Sequence, residues 1–194
     1  YLDVLRRTPF PTFIANSVVV ASATVVAATG LALLAAFAFE ILRPRGGGVL
    51  KFLVLAGLAL PAIAVVVPLY SLMQALGLFN TFWAVIIPLT ATSIPFGVLL
   101  MGNYITGLPE EIYEAARLDG AGPGRFLVSI LLPISRPIIA VVALFTFLAA
   151  WNEYVLPLIF LQSPELQVAT QVPNFFQGDR LIELPKVFAA NVLI

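Results

Sequence analysis

Histidine and cysteine are both absent from this 194-residue chain, and only 10% of its residues are charged. Without them the chain lacks the usual ligands of structural zinc, any thiol nucleophile and any disulfide framework. The net charge is zero, so no basic excess points to nucleic acid. No G-x-x-x-x-G-K-[ST] phosphate loop occurs, nor any pairing of nucleophile and base. Neither a nucleotide site nor a catalytic site is therefore expected, and no metal or cofactor. A soluble domain carries about 25% charged and about 45–50% apolar residues. Here 61% are apolar and the mean hydropathy is +1.04. That leaves too little polar surface to cover a water-soluble particle of this size.

What the chain does have is long apolar runs. Residues 14–39, 52–70, 82–101 and 138–161 are each long enough to cross a bilayer, which takes about 20 helical residues. The first three carry no charge and the fourth carries Glu153 alone. A fifth run opens at Val187 and reaches the last residue, Ile194. Each run is about twice the length of a barrel strand, so a helix that satisfies its own backbone is the expected conformation. The fold class is then all-α, a polytopic transmembrane helix bundle forming one domain over 1–194. With Tyr1 at one end and an apolar run at the other, the expectation is a fragment of a longer chain, cut at both ends and without a signal peptide.

Pro61, Pro68, Pro88, Pro95 and Pro157 lie inside these runs, where proline forfeits a backbone donor and tends to kink a helix. Thr24, Ala28, Ala32 and Ala36 form a stripe of small residues at four-residue spacing, which lets another helix approach closely. If the loops 40–51 and 102–137 share a side, that side holds Arg43, Arg45, Lys51, Arg117, Arg125 and Arg136. The other side holds Arg6, Arg7, Arg180 and Lys186. The positive excess makes 40–51 and 102–137 the cytoplasmic loops.

The loop 107–137 reads as two short helices joined by a turn. Pro109 suits a first helical position, and Glu110 and Glu111 complement the positive end of the helix dipole. Gly120 supplies the stop, Gly122-Pro123-Gly124 the turn, and Pro123 the next start. Phe126, Ile130 and Ile134 recur every four residues as an apolar face against the bundle. In the first helix, small Ala115 and Ala116 would let a partner's groove close on the backbone, with Glu114, Arg117 and Asp119 fixing its register. On helix physics alone a solvated amphipathic linker is the plainer reading, and a docking helix the alternative.

Glu114-Ala115-Ala116, Asp119-Gly120-Ala121, Phe126, Ile130, Leu132-Pro133 and Pro137 together resemble the EAA signature of ABC importer permeases. Asn16-Ser17, Ile94-Pro95-Phe96 and Trp151-Asn152-Glu153-Tyr154 resemble the carbohydrate-uptake branch, in the manner of the second permease of maltose transporters. The resemblance covers nearly the whole chain, and the family's first helix and most of its last are missing from it. It implies a type I importer permease that couples ATPase motion to sugar translocation. The expected partners are a second permease subunit, two cytoplasmic ATP-binding subunits and an extracytoplasmic solute-binding protein. The expected location is a bacterial inner membrane. The first short helix, 109–118, would be the coupling helix. Glu114 would make the charged contact to the ATPase, Ala115 and Ala116 would allow close seating, and Gly120 would set the turn. Glu114 to Gly120, Asp119 included, would be the part that touches the ATPase. Phe126, Ile130, Pro133 and Pro137 would anchor the loop to the bundle.

Two rivals stand beside this expectation. One is a permease of the same kind for polyamines, phosphate esters or peptides, against which Asp119 before Gly120 favours sugars. The other is an ion-coupled secondary carrier. Carriers of that kind show internal repeats and paired interrupted helices, and this chain shows no repeat. Within the fourth run, Asn152 and Glu153 have two readings of equal weight. They line a translocation path for a hydroxyl-rich solute, or they sit in an interfacial belt with Trp151 and Tyr154. The outer loop 162–185 offers Glu165, Asp179, Arg180 and Glu183 to a binding protein, or simply to water.

Overall fold

Apolar runs without turn chemistry fold as helices because each residue's N–H and C=O can pair within its own segment. The computed structural model describes residues 8–176 and 184–193, and among these there is helix and connecting chain but no strand. The fold is all-α, as the runs imply. The long helix α1 spans Phe10–Phe37 and continues as a wider π-type turn over Ala38–Leu42. It is followed by α2 (Gly47–Ala56), α3 (Val66–Ala75) and the second long helix, α4 (Trp83–Thr106). Then come the short helices α5 (Glu111–Leu118), α6 (Pro123–Phe126) and α7 (Leu132–Ile134). The remaining α-helices are α8 (Arg136–Trp151), α9 (Val155–Phe160) and α10 (Leu184–Leu193), with short 3-10 turns in the connections.

Among the described residues, two helices are long and apolar enough to cross a membrane, Phe10–Leu42 and Trp83–Thr106. Counting each of two bent helix pairs as one span makes the total four. The runs 52–70 and 138–161, expected as single helices, are broken ones. The first stops at Leu60, which is extended (φ −78°, ψ 120°). Pro61 is the cause, since its ring pushes the preceding residue out of the helical region. Pro88 and Pro95 stay inside α4 without a break. The second run stops at Trp151, and Asn152 to Tyr154 separate α8 from α9.

The chain divides into two compact units; three of the four boundaries fall inside α1, α4 and α8, and the fourth lies between α2 and α3. One unit comprises 1–24, 63–89 and 147–194. Val20, Ala21, Met73, Val85, Phe160 and Leu161 form its core. A ring cluster supports them, with Tyr70, Phe79 and Phe160 at centroid distances of 5.3–6.5 Å. A smaller cluster joins Phe13, Val172, Phe176 and Ala190. Asn16 and Ser17 hold the 162–170 stretch down. The Asn16 amide donates to the carbonyls of Glu165 and Gln167, both at 2.8 Å, and the Ala169 N–H donates to Ser17 Oγ at 2.8 Å.

The other unit comprises 25–62 and 90–146. Its core runs through Ala32, Phe37, Val98, Met101, Ile105, Phe126, Leu131 and Val142. Ala28, Ala32 and Ala36 are buried in this unit, and Thr24, which belongs to the first unit, is buried too, so the stripe of small residues is a packed face of α1. At Gly97 the approach is closest: a Cβ there would lie 2.6 Å from Ala32 Cβ and 3.3 Å from Val142 Cγ1. Val26, Phe52, Leu53 and Leu144 point outward, which suits a surface whose solvent is itself apolar.

Candidate functional site

The informative segment lies wholly within the second unit. After α4 ends at Thr106, Pro109 and Glu110 form a turn, and α5 starts at Glu111, two residues later than Pro109 would place it. Glu111 and Glu114 lie in its first turn and Arg117 in its last, each with the sign the helix dipole favours. The end of α5 is a two-bond C-terminal cap. The Gly120 N–H donates to Arg117 O at 3.0 Å and the Ala121 N–H to Ala116 O at 2.9 Å. That cap needs a left-handed residue, and Gly120 supplies it with φ +79°. Gly122 is extended, and Pro123 then opens α6 at its first position.

The two faces of α5 differ sharply. Ala116 is buried, and Ile112 and Tyr113 are half-buried beside it against the core. The Tyr113 ring meets Phe126 edge-on at 4.8 Å, and Arg117 lies over that ring at 5.8 Å. Outward point Glu111, Glu114, Ala115 and Leu118, with Leu118 88% exposed. Of the two alanines, therefore, only Ala115 is open to a partner. Ala116 lets α5 seat closely on this chain's own core, which leaves Ala115 as the one of the pair that a partner's groove could close on. The exposed leucine escaped the sequence reading, although its i, i+3, i+7 spacing with Glu111 and Glu114 marks the face it shares.

Beyond α6 the expected face of Phe126, Ile130 and Ile134 does not hold. Residues Leu127–Leu131 form a π-type turn, which adds one residue to the repeat. The buried positions become Phe126, Leu131 and Ser135, while Ile134 is exposed and Ile130 only partly covered. Phe126 is buried and packed on both Tyr113 and Phe37. Pro133 is half-buried inside α7 and Pro137 exposed in the first turn of α8. The two helical stretches meet at a 77° bend. Near it the Tyr104 hydroxyl donates to Ile134 O at 2.9 Å.

Between α5 and the ends of α1 and α4 lies a cavity of about 390 Å³. Arg43 and Glu110 line it and are joined by an ion pair at 2.6 Å, exposed on both sides. Glu40 is better covered, 11% exposed, and pairs with Lys51 at 2.6 Å. Gly102 makes room for that carboxylate, since a Cβ there would lie 3.0 Å from Glu40 Oε1. In the sequence Arg43 and Lys51 stand only in the count of cytoplasmic charges, Glu110 only as a complement to the helix dipole, and Glu40 is not singled out.

Asn152 and Glu153, in the other unit, sit at the break between α8 and α9. The Glu153 carboxylate accepts from the N–H groups of Val155 (2.8 Å) and Leu156 (3.1 Å), capping α9. The Asn152 amide donates back to Leu148 O at 2.7 Å. Thr170 Oγ1 donates to Glu153 O at 2.8 Å, tying the break to the loop that follows. Glu165 is exposed. Arg6, Arg7, Asp179, Arg180 and Glu183, and the side chain of Lys186, lie outside the described residues. Among the described residues no group of three carboxylates gathers as a metal site would require.

Residues 28–194 match the family described as binding-protein-dependent transport system inner membrane component. A probable ABC transporter permease protein of Bacillus subtilis, YurM, is 37% identical over 152 residues, 78% of this chain and 51% of that one. The diacetylchitobiose uptake system permease protein NgcG of Streptomyces coelicolor is 32% identical over 92% of this chain and 60% of its own length. The trehalose/maltose transport system permease protein MalG of Thermococcus litoralis is 31% identical over 95% of this chain and 66% of its own. Among solved structures, a bacterial ABC transporter involved in the import of the acidic polysaccharide alginate matches with a TM-score of 0.79. Identity there is 25%, over 98% of this chain and 66% of that one. The chain thus spans about half to two thirds of the length of these proteins. It is a membrane protein, and it belongs to the family of binding-protein-dependent transport system inner membrane components.

Proposed function

We propose that this chain is the membrane-spanning permease part of an ATP-driven sugar importer, and that α5 is its coupling helix. The observation that carries the reading is the two-faced build of α5. One face is fastened to the chain's own core through Ala116 and Tyr113, while Glu111, Glu114, Ala115 and Leu118 are presented outward. A rigid, capped helix presenting two acids and an apolar knob fits a cleft with basic rims and an apolar floor. An ATP-hydrolysing subunit would supply that cleft. As two such subunits close on ATP, the moving cleft would carry α5 with it and bias the bundle between inward- and outward-facing states.

The same reading places 40–51 and 102–137 in the cytoplasm of a bacterial cell, in line with the excess of Arg and Lys there. ATP hydrolysis would reside on the partner. A second permease subunit and an extracytoplasmic solute-binding protein would complete the assembly, and the relatives named for diacetylchitobiose and trehalose/maltose support a sugar as cargo. Asp119 and Gly120 would set the turn that aims α5, and Phe126, Ile130, Pro133 and Pro137 would fasten the loop. Asn152 and Glu153 would serve the translocation path by holding the break in the fourth span open.

Gly120→Val tests the assignment in the assembled transporter. A β-branched residue at φ +79° would unwind the cap, so uptake should be uncoupled from ATP hydrolysis while membrane insertion stays intact. Normal substrate-stimulated hydrolysis and uptake in that variant would refute the role of α5.

A further inference from the structure

We infer that Arg43 is a positioning residue that ties the coupling helix α5 to the end of the long span α1, an inference that rests on the coupling role proposed above. Arg43 is one of two non-glycine residues with positive φ among those described (φ 46°, ψ 57°). Side chains rarely adopt that region unless their surroundings hold them there. Three bonds do so here. The Arg43 N–H donates to Ala38 O at 3.0 Å, closing the wide turn at the end of α1. Its Nε donates to Glu40 O at 3.0 Å, and its Nη2 to Glu110 Oε1 at 2.6 Å.

The base on which Arg43 stands is itself fixed. The Glu40 carboxylate is held by Lys51 from α2 and lies against Gly102 of α4. Glu110 immediately precedes α5. Behind α5 the contacts with the core are apolar, through Ile112, Tyr113 and Ala116. Toward the ends of α1 and α4 there is a cavity instead. Arg43 is the polar bridge along that side. A displacement of α5 has two routes into the bundle: an apolar one through Tyr113 and Phe126, and a polar one through Glu110 and Arg43 into α1. An ion pair this exposed adds little stability, so its use lies in register. A guanidinium serves because it can bond in two fixed directions at once, which a lysine ammonium on a flexible stem does not reproduce.

The test uses the transporter assembled with its partner permease and ATPase subunits in proteoliposomes, reading sugar taken up per ATP hydrolysed. Arg43→Gly accepts the backbone angle without strain and removes the whole side chain, guanidinium included. It should lower the ratio about two- to fivefold, the worth of an exposed pair, with the ATPase subunits co-purifying at unchanged stoichiometry. Glu110→Gln should give a similar loss, and Arg43→Lys a smaller one. Arg43→Glu combined with Glu110→Arg should recover at least half of what Arg43→Glu alone loses. An unchanged ratio in Arg43→Gly, or a double variant no better than Arg43→Glu, would overturn the inference. If those results came with Gly120→Val still uncoupled, the coupling role of α5 would stand without Arg43. Full coupling in Gly120→Val would remove the coupling role itself.

Discussion

Gly97 of α4 faces Ala32 of α1 so closely that a Cβ on the glycine would lie 2.6 Å from that of the alanine. Real side chains do not pack at that distance, so any larger residue at 97 must push the two helices apart. Overpacking of this kind costs about 1–3 kcal/mol. Gly97→Leu should therefore lower the thermal stability of the detergent-solubilised protein and reduce its yield. Gly124→Leu, where a Cβ would meet nothing, should leave both unchanged.

Leu118 is 88% exposed, so little of its apolar surface is buried within this chain. Leu118→Ser should stay within about 0.5 kcal/mol of the parent in stability. Its effect should fall on assembly. Burying a leucine side chain is worth about 1.5–3 kcal/mol, so affinity for the ATPase subunits should drop about tenfold or more in a titration of the purified components.

Asn80 clamps the connection after α9. Its Oδ1 accepts from the N–H groups of Gln162 (2.9 Å) and Ser163 (3.0 Å), and its Nδ2 donates to Ser163 Oγ at 2.7 Å. Its own backbone is left-handed, with φ 58°. Asn80→Gly keeps that backbone and loses the clamp, leaving acceptors and donors to find water. Amide exchange at Gln162 and Ser163 should rise by about tenfold, a loss of about 1–2 kcal/mol of local protection. Asn80→Ala should fare worse, because it adds backbone strain.

Glu153 caps α9 with one oxygen. Glu153→Gln keeps an acceptor there and should change transport little, whereas Glu153→Ala should lose about 1 kcal/mol of stability. Uptake kinetics on the pair would decide its role. A raised KM already in Glu153→Gln, which keeps the acceptor, would show that the negative charge matters on the path beyond the cap.

The long apolar runs made α1 and α4 legible because a helix of more than 20 apolar residues has no competitor in a bilayer. The α5–α6 turn was legible for a different reason: Gly120 and Pro123 each have one backbone geometry to offer, and the chain uses both. What stayed hidden depends on register and on partners distant in sequence. The π-type turn at Leu127–Leu131 is built from ordinary helix formers, so nothing local announces the extra residue that turns Ile134 outward and Leu131 inward. Ala115 and Ala116 look alike in sequence, and only the direction of the core separates them. Pro61 and Pro95 both lie in apolar runs, yet one ends a helix and the other does not. Arg43 gained its meaning only when Glu110, 67 residues away, came within 2.6 Å.

The central claim, that the outward face of α5 is covered by an ATP-hydrolysing subunit, has a direct test because the chain contains no cysteine. Leu118→Cys introduces a unique thiol whose reaction with a membrane-impermeant maleimide can be timed in inside-out vesicles, with and without co-expressed ATPase subunits. Stripping the ATPase subunits from the assembled vesicles and relabelling serves as the control, since it should restore the faster rate. The account predicts that assembly slows labelling of Leu118→Cys at least about tenfold, in keeping with burial of that side chain. Equal labelling rates with and without the ATPase subunits, in vesicles where those subunits are bound, would contradict it.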